Sequence, residues 1–97
     1  MGQFRLTLQA EGDLDRIGAY TLEKWGMDQA IRYLTELDQT FAALAQTTAL
    51  GKDRTDLRPG LISCSCNRHM IFFRRSGQGD VEILRILHER MDFDRHL

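Results

Sequence analysis

With two cysteines, two lysines, a net charge of −1 and no long apolar run, this 97-residue chain excludes several classes of protein before any motif is sought. No apolar stretch approaches the roughly 20 residues that a membrane-spanning helix needs. The opening Met1-Gly2-Gln3-Phe4-Arg5-Leu6 lacks the apolar segment of a secretory signal. Cys64 and Cys66 stand two apart in a segment of strand character. There their Cα atoms would lie about 6.6 Å apart with the side chains parallel, near the upper limit for a disulfide. Free thiols and a cytoplasmic setting are the expectation. A bulk nucleic-acid binder draws its affinity from phosphate neutralisation and is usually basic overall, so direct sequence-specific nucleic-acid binding is not expected of this composition.

What is there suits one small globular domain spanning 1–97: 42% hydrophobic and 28% charged residues, with no internal repeat, linker or low-complexity segment. The charge is uneven. Residues 1–51 carry four basic and seven acidic side chains, while residues 52–97 carry nine basic and seven acidic. From Arg58 to Arg75 there are four arginines (Arg58, Arg68, Arg74 and Arg75) and no acid, which reads as a local basic face.

Along the chain, Phe4 and Leu6 alternate with Arg5 and Thr7, as in a short strand with one apolar face. Thr7 is placed to cap a helix from Leu8, and Glu11, Asp13 and Asp15 suit the positive pole of its dipole. Leu14, Ile17, Thr21 and Trp25 recur at helical spacing, and Gly26 is placed to end the helix. Asp28 is the expected cap of a second helix with the stripe Ala30, Leu34, Leu37, Phe41 and Leu44, flanked by Ile31 and Ala45. A connection as short as Gly26-Met27 makes the two helices an antiparallel hairpin. Residues 51–56 read as a polar loop, closed by the turn Arg58-Pro59-Gly60. Three strands follow: one through Ile62, Cys64 and Cys66; one from His69 to Arg75; and one from Val81 to His88. The turn-rich Ser76-Gly77-Gln78-Gly79-Asp80 joins the last two. Val81–His88 is apolar on both faces, as expected of a central strand covered on each side. Met91–His96 adds one helical turn. The expected class is α+β, in the order β-α-α-β-β-β with a short C-terminal turn.

Several segments together resemble the ParE toxins of the RelE/ParE toxin–antitoxin superfamily. Asp13-Leu14 followed by Ile17, Tyr20 and Thr21 resembles the family's first helix, and Trp25-Gly26 its ending. Gln29-Ala30 with Tyr33-Leu34 and Leu37 resembles the second helix. Gly51 with Arg58-Pro59-Gly60, then Arg68-His69-Met70-Ile71-Phe72-Phe73-Arg74, match in order and spacing. Ile83-Leu84-Arg85-Ile86-Leu87-His88-Glu89-Arg90-Met91-Asp92 resembles the ParE tail. The chain departs from the family pattern at Phe73, where Tyr is usual, at Leu8, where Pro is common, and at its two cysteines.

The resemblance implies a helical hairpin lying across a small sheet, and a toxin that is not an enzyme. It implies inhibition of DNA gyrase, a block of replication, and neutralisation by a ParD-like antitoxin in a hetero-oligomer. An acidic, apolar antitoxin segment would fold over the hairpin and along the sheet, with Tyr20, Tyr33, Arg58, Arg68, Arg74 and Arg85 as contacts. Arg85, His88 and Arg90 are the expected contacts to the target. No cofactor is implied. The main alternative is a RelE-like mRNA endoribonuclease, with His88 as acid or base and Arg85, Arg90 and Arg68 clamping phosphate. Such nucleases are usually richer in lysine than a chain with only Lys24 and Lys52, and the plainer roles of strand cap and partner contact are favoured. A degenerate relative that binds antitoxin without toxicity is a third reading. Cys64, Cys66, His69 and His88 do not make a zinc site, because Cys-x-Cys on a strand lacks the turn that converges ligands.

Overall fold

The computed structural model describes residues 2–76 and 79–97. The elements are β1 (Phe4–Leu6), α1 (Leu8–Trp25), α2 (Met27–Gln46), β2 (Lys52–Asp53), β3 (Ile62–Cys66), β4 (His69–Arg75), β5 (Val81–His88) and α3 (Phe93–His96). The strands form one sheet in the order β1-β5-β4-β3-β2. Strand β1 runs parallel to β5, and the other pairings are antiparallel. The α+β class is the expected one, and the order is β-α-α-β-β-β with one added edge strand, β2. Among the described residues no helix is long and apolar enough to cross a membrane.

Thr7 ties the strand-to-helix junction at three points. Its backbone N–H donates to the Ile83 carbonyl (3.0 Å), its hydroxyl donates to the Leu84 carbonyl (2.9 Å), and the same oxygen accepts from the Ala10 N–H (3.1 Å). The cap expected at Thr7 therefore also fixes the helix to β5. Gly26, at φ 90°, is a single-residue hinge serving as C-cap of α1 and N-cap of α2. The expected cap at Asp28 is not used, because α2 already begins at Met27. Gly51 (φ 104°) has a second reason to be glycine: a Cβ there would come within 2.7 Å of the Ile62 side chain.

The hairpin covers one face of the sheet and encloses the main core, including Leu37, Phe41, Ile71, Phe73 and Ile83. Two expected members of the stripes are outside it: Trp25 is 71% exposed and Ile31 56%. Eight residues beyond Ile17, the helix has turned about 80° off the buried stripe, and Ile31 is about 100° from Ala30. The polar stretch after Gly51 is not wholly a loop, since Lys52 and Asp53 pair with Ser63 and Ile62 as an edge strand. The expected loop from Ser76 to Asp80 includes residues 77 and 78, which lie outside the described residues. Arg75 donates to the Leu44 and Thr47 carbonyls (2.9 Å each), satisfying acceptors at the end of α2.

The opposite face carries a smaller cluster of Leu61, Phe72 and Leu87, roofed by Met91, Phe93 and Leu97 from the C-terminal segment. Strand β5 serves both faces by means of a bulge. Phe72 pairs with Arg85 and Phe73 with Ile83, leaving Leu84 as an extra residue. Ile83 and Ile86 thereby both join the helix-side core, while Leu84 and Leu87 join the other.

Candidate functional site

Beyond Ile83, β5 has no strand neighbour on the β1 side, because β1 ends at Leu6. Helix α1 closes that edge with a side chain. Asp13, 4% exposed, accepts from the Ile86 N–H (2.9 Å) and from Arg85 Nε and Nη2 (2.8 and 3.0 Å). Arg16 adds a contact at 2.7 Å. Burial alone would push the Asp13 carboxyl up. The Arg85 and Arg16 guanidiniums and the Ile86 N–H outweigh it and hold the carboxyl below its ordinary range. Arg85 extends the connection: its Nη1 donates to the His96 carbonyl (2.7 Å), joining α1 to the C-terminal turn through β5.

Next to this clamp lies a row of side chains across the sheet. Cys66 of β3 is paired with His69 of β4, and His69 with His88 of β5. The tight Asn67-Arg68 turn that sets this register needs a positive φ, taken by Asn67 (55°). Tyr33 reaches down from α2, its hydroxyl hydrogen-bonded to His69 Nδ1. The two imidazoles meet edge to face, with centroids 5.3 Å apart. Burial, reinforced by His88, pushes the His69 pKa down, and burial pushes the Tyr33 phenol up. At neutral pH, His69 is therefore neutral and Tyr33 keeps its proton. Two adjoining hollows of about 430 and 940 Å³ share Tyr20, Thr21, His69 and His88, making one groove between the hairpin and the ends of β4 and β5.

Of the residues expected to bind partners, Tyr20, Tyr33, Arg68, Arg85 and His88 line this groove. Arg68 is open to solvent and 3.6 Å from Glu89. Arg85 is engaged internally by Asp13 and His96. Arg90 lies just beyond the groove in the turn after β5, and its backbone N–H donates to His88 Nδ1 (3.2 Å). Arg58 and Arg74 do not line the groove; Arg58 is in the turn before β3, and Arg74 pairs with Glu82 (2.9 Å). The arginines of the acid-free stretch thus do not make one basic face. Two residues that matter to the site were not singled out for it. In the sequence Asp13 suits the helix dipole and the family's first-helix pattern, yet Ala10, Asp13, Ile17 and Thr21 share the buried stripe, where a carboxylate calls for an internal partner. In the sequence His69 belongs to the family's Arg68–Arg74 segment and carries no role beyond that of a rejected metal ligand. Among the described residues no group of three or more His, Cys, Asp or Glu is placed to hold a metal ion. Both cysteines are free.

A family model described as the ParE toxin of the type II toxin–antitoxin system parDE matches residues 4–93. The chain belongs to the ParE toxin family. Toxin ParE1 of Mycobacterium tuberculosis is 36% identical over 95 residues, covering 98% of this chain and 97% of the relative. Toxin ParE of Escherichia coli is 40% identical over 93 residues, covering 95% and 89%. Among solved structures, a chain of the chromosomal ParDE system of P. aeruginosa superposes with a TM-score of 0.75 at 24% identity, covering 91% of this chain and 95% of that one. A chain of the RelBE2 complex of M. tuberculosis gives 0.65 at 22% identity, covering 90% and 96%. These two likenesses speak to the fold, which is that of ParE and RelE toxins alike.

Proposed function

We propose that this chain is a toxin that acts by binding rather than by catalysis. It engages DNA gyrase, holds it on cleaved DNA and arrests replication until a ParD-like antitoxin sequesters it in the cytoplasm. The observation that carries this reading is the family match over residues 4–93, backed by curated relatives called Toxin ParE at 36–40% identity over nearly their whole length. The groove between the hairpin and the sheet supports the antitoxin half of the reading, since its half-apolar, arginine-edged lining suits an amphipathic acidic segment. Arg85, His88 and Arg90 lie where one end of the sheet meets the tail, and these are the residues we assign to the target. Tyr20, Tyr33, Arg58, Arg68, Arg74 and Arg85 are assigned to the antitoxin. Purified chain added to gyrase of its own host, in a supercoiling and cleavage assay, should abolish supercoiling and accumulate linear DNA. Unchanged supercoiling with a folded chain would remove the gyrase reading.

A second reading has one observation in its favour. Tyr33, His69 and His88 stand together in an open groove beside Arg68, the kinds of group that RNA cleavage needs. Cleavage of mRNA on ribosomes, lost in His88→Ala with binding retained, would replace the gyrase reading with this one.

A further inference from the structure

Both imidazoles of the groove have one nitrogen already filled. His88 Nδ1 accepts the Arg90 backbone N–H, so its own proton is on Nε2. At His69, Nδ1 is hydrogen-bonded to the Tyr33 hydroxyl. The phenol is the stronger donor and an imidazole nitrogen the stronger acceptor, so the O–H donates to Nδ1 and the His69 proton is also on Nε2. Among the described residues neither Nε2–H has a hydrogen-bond acceptor. The rings are paired across β4 and β5 and line the same groove.

We infer that His69 and His88 form a paired donor site for a carboxylate, the acidic side chain of a polypeptide docked in the groove. Two N–H donors lining one groove suit a carboxylate, which only accepts, and neither ring has an acceptor nitrogen left for a metal or a donor ligand. Arg68 supplies the counter-charge, being 72% exposed and only loosely held by Glu89. Arg32 lines the same hollow. Glu36 and Glu89, also in that lining, oppose a nucleic-acid strand, which brings a negative charge with every nucleotide, more than they oppose a single carboxylate. The donor pair stands on its own geometry. Naming the antitoxin as the source of the carboxylate rests on the functional reading above and gives His88, assigned there to the target, a second partner.

The test is a long-range proton–nitrogen NMR spectrum of the labelled chain at neutral pH. It is recorded alone, then with acetate, with a blocked glutamate dipeptide and with inorganic phosphate. Both rings should show a protonated Nε2 and an unprotonated Nδ1, and both carboxylates should shift the Nε2 signals saturably. A ring carrying its proton on Nδ1, or no response to either carboxylate, overturns the site. Saturation by phosphate at a tenfold lower concentration than the carboxylates overturns it in favour of a nucleic-acid phosphate. His88→Phe keeps the ring and removes the donor, and should weaken binding of the ParD-like antitoxin by roughly tenfold or more. Unchanged antitoxin affinity would overturn the antitoxin as source, whatever gyrase does.

Discussion

The helix-covered face of the sheet buries Leu37, Phe41, Ile71, Phe73 and Ile83 to within 1% of complete enclosure. The opposite face has Leu61, Phe72 and Leu87 buried under Met91, Phe93 and Leu97, which remain partly exposed. One face is closed by two long helices and the other by the final turn of the chain. Arg85 connects them, with Asp13 of α1 at one end of its guanidinium and the His96 carbonyl at the other. The contrast separates the part that holds the fold from the part that is held by it, and it assigns unequal consequences to similar substitutions.

Phe41→Ala should have the largest effect, about 3–5 kcal/mol, because the hairpin cannot collapse onto the hole. Urea unfolding of the variant measures it, and a loss no greater than that of Phe93→Ala would erase the distinction between the faces. Asp13→Ala comes next, at about 2–4 kcal/mol, since it strands the Arg85 guanidinium and the Ile86 N–H; the remaining exposure of Arg85 keeps the figure below that of a fully enclosed pair. Phe93→Ala, which removes the ring against Phe72 at 4.9 Å, should cost roughly 1–2 kcal/mol and loosen the last turn. Arg74→Ala should cost less than about 0.5 kcal/mol, because its own guanidinium is solvated and Glu82 keeps Arg5 nearby at 3.8 Å.

Stability against pH should fall in two limbs, both set on the hairpin side. The folded His69 pKa is below its ordinary value of about 6.5. Its contribution is therefore complete above that value and is lost as pH falls below it, because the unfolded chain binds the proton first. The folded Asp13 pKa is below the ordinary carboxyl value of about 3.9, so its contribution is complete above that value and is lost only in stronger acid. Urea midpoints between neutral pH and acid should lose the upper limb in His69→Phe and have a shallower lower limb in Asp13→Ala.

Much of the fold was legible because its signals are local. Thr7, Gly26 and the stripe through Leu37, Phe41 and Leu44 report conformations set within one or two helical turns. The N-terminal strand lying parallel beside the last one was not legible, because that pairing joins residues 77 apart and leaves no local signature. Trp25 and Ile31 show the limit of periodicity, since residues at helical spacing still drift about 80° and 100° from the buried stripe and face solvent. The site was half legible. The family's tail pointed to Arg85 and His88, but the roles of Asp13 and His69 come from contacts made across the fold.

The extra residue at Leu84 has a consequence for the order of side chains at the end of β5. A regular strand alternates its faces strictly, so the same sequence paired without the bulge would put Arg85 and Leu87 on the side of Ile83 and turn His88 away from the hairpin. The insertion reverses that parity for everything downstream. It is a phase shifter that places His88 beside His69 under Tyr33. Deleting Leu84 itself would restore strict alternation with Ile86 and His88 still on the side of Ile83, so the exchange of faces follows from losing the bulge while keeping the residue.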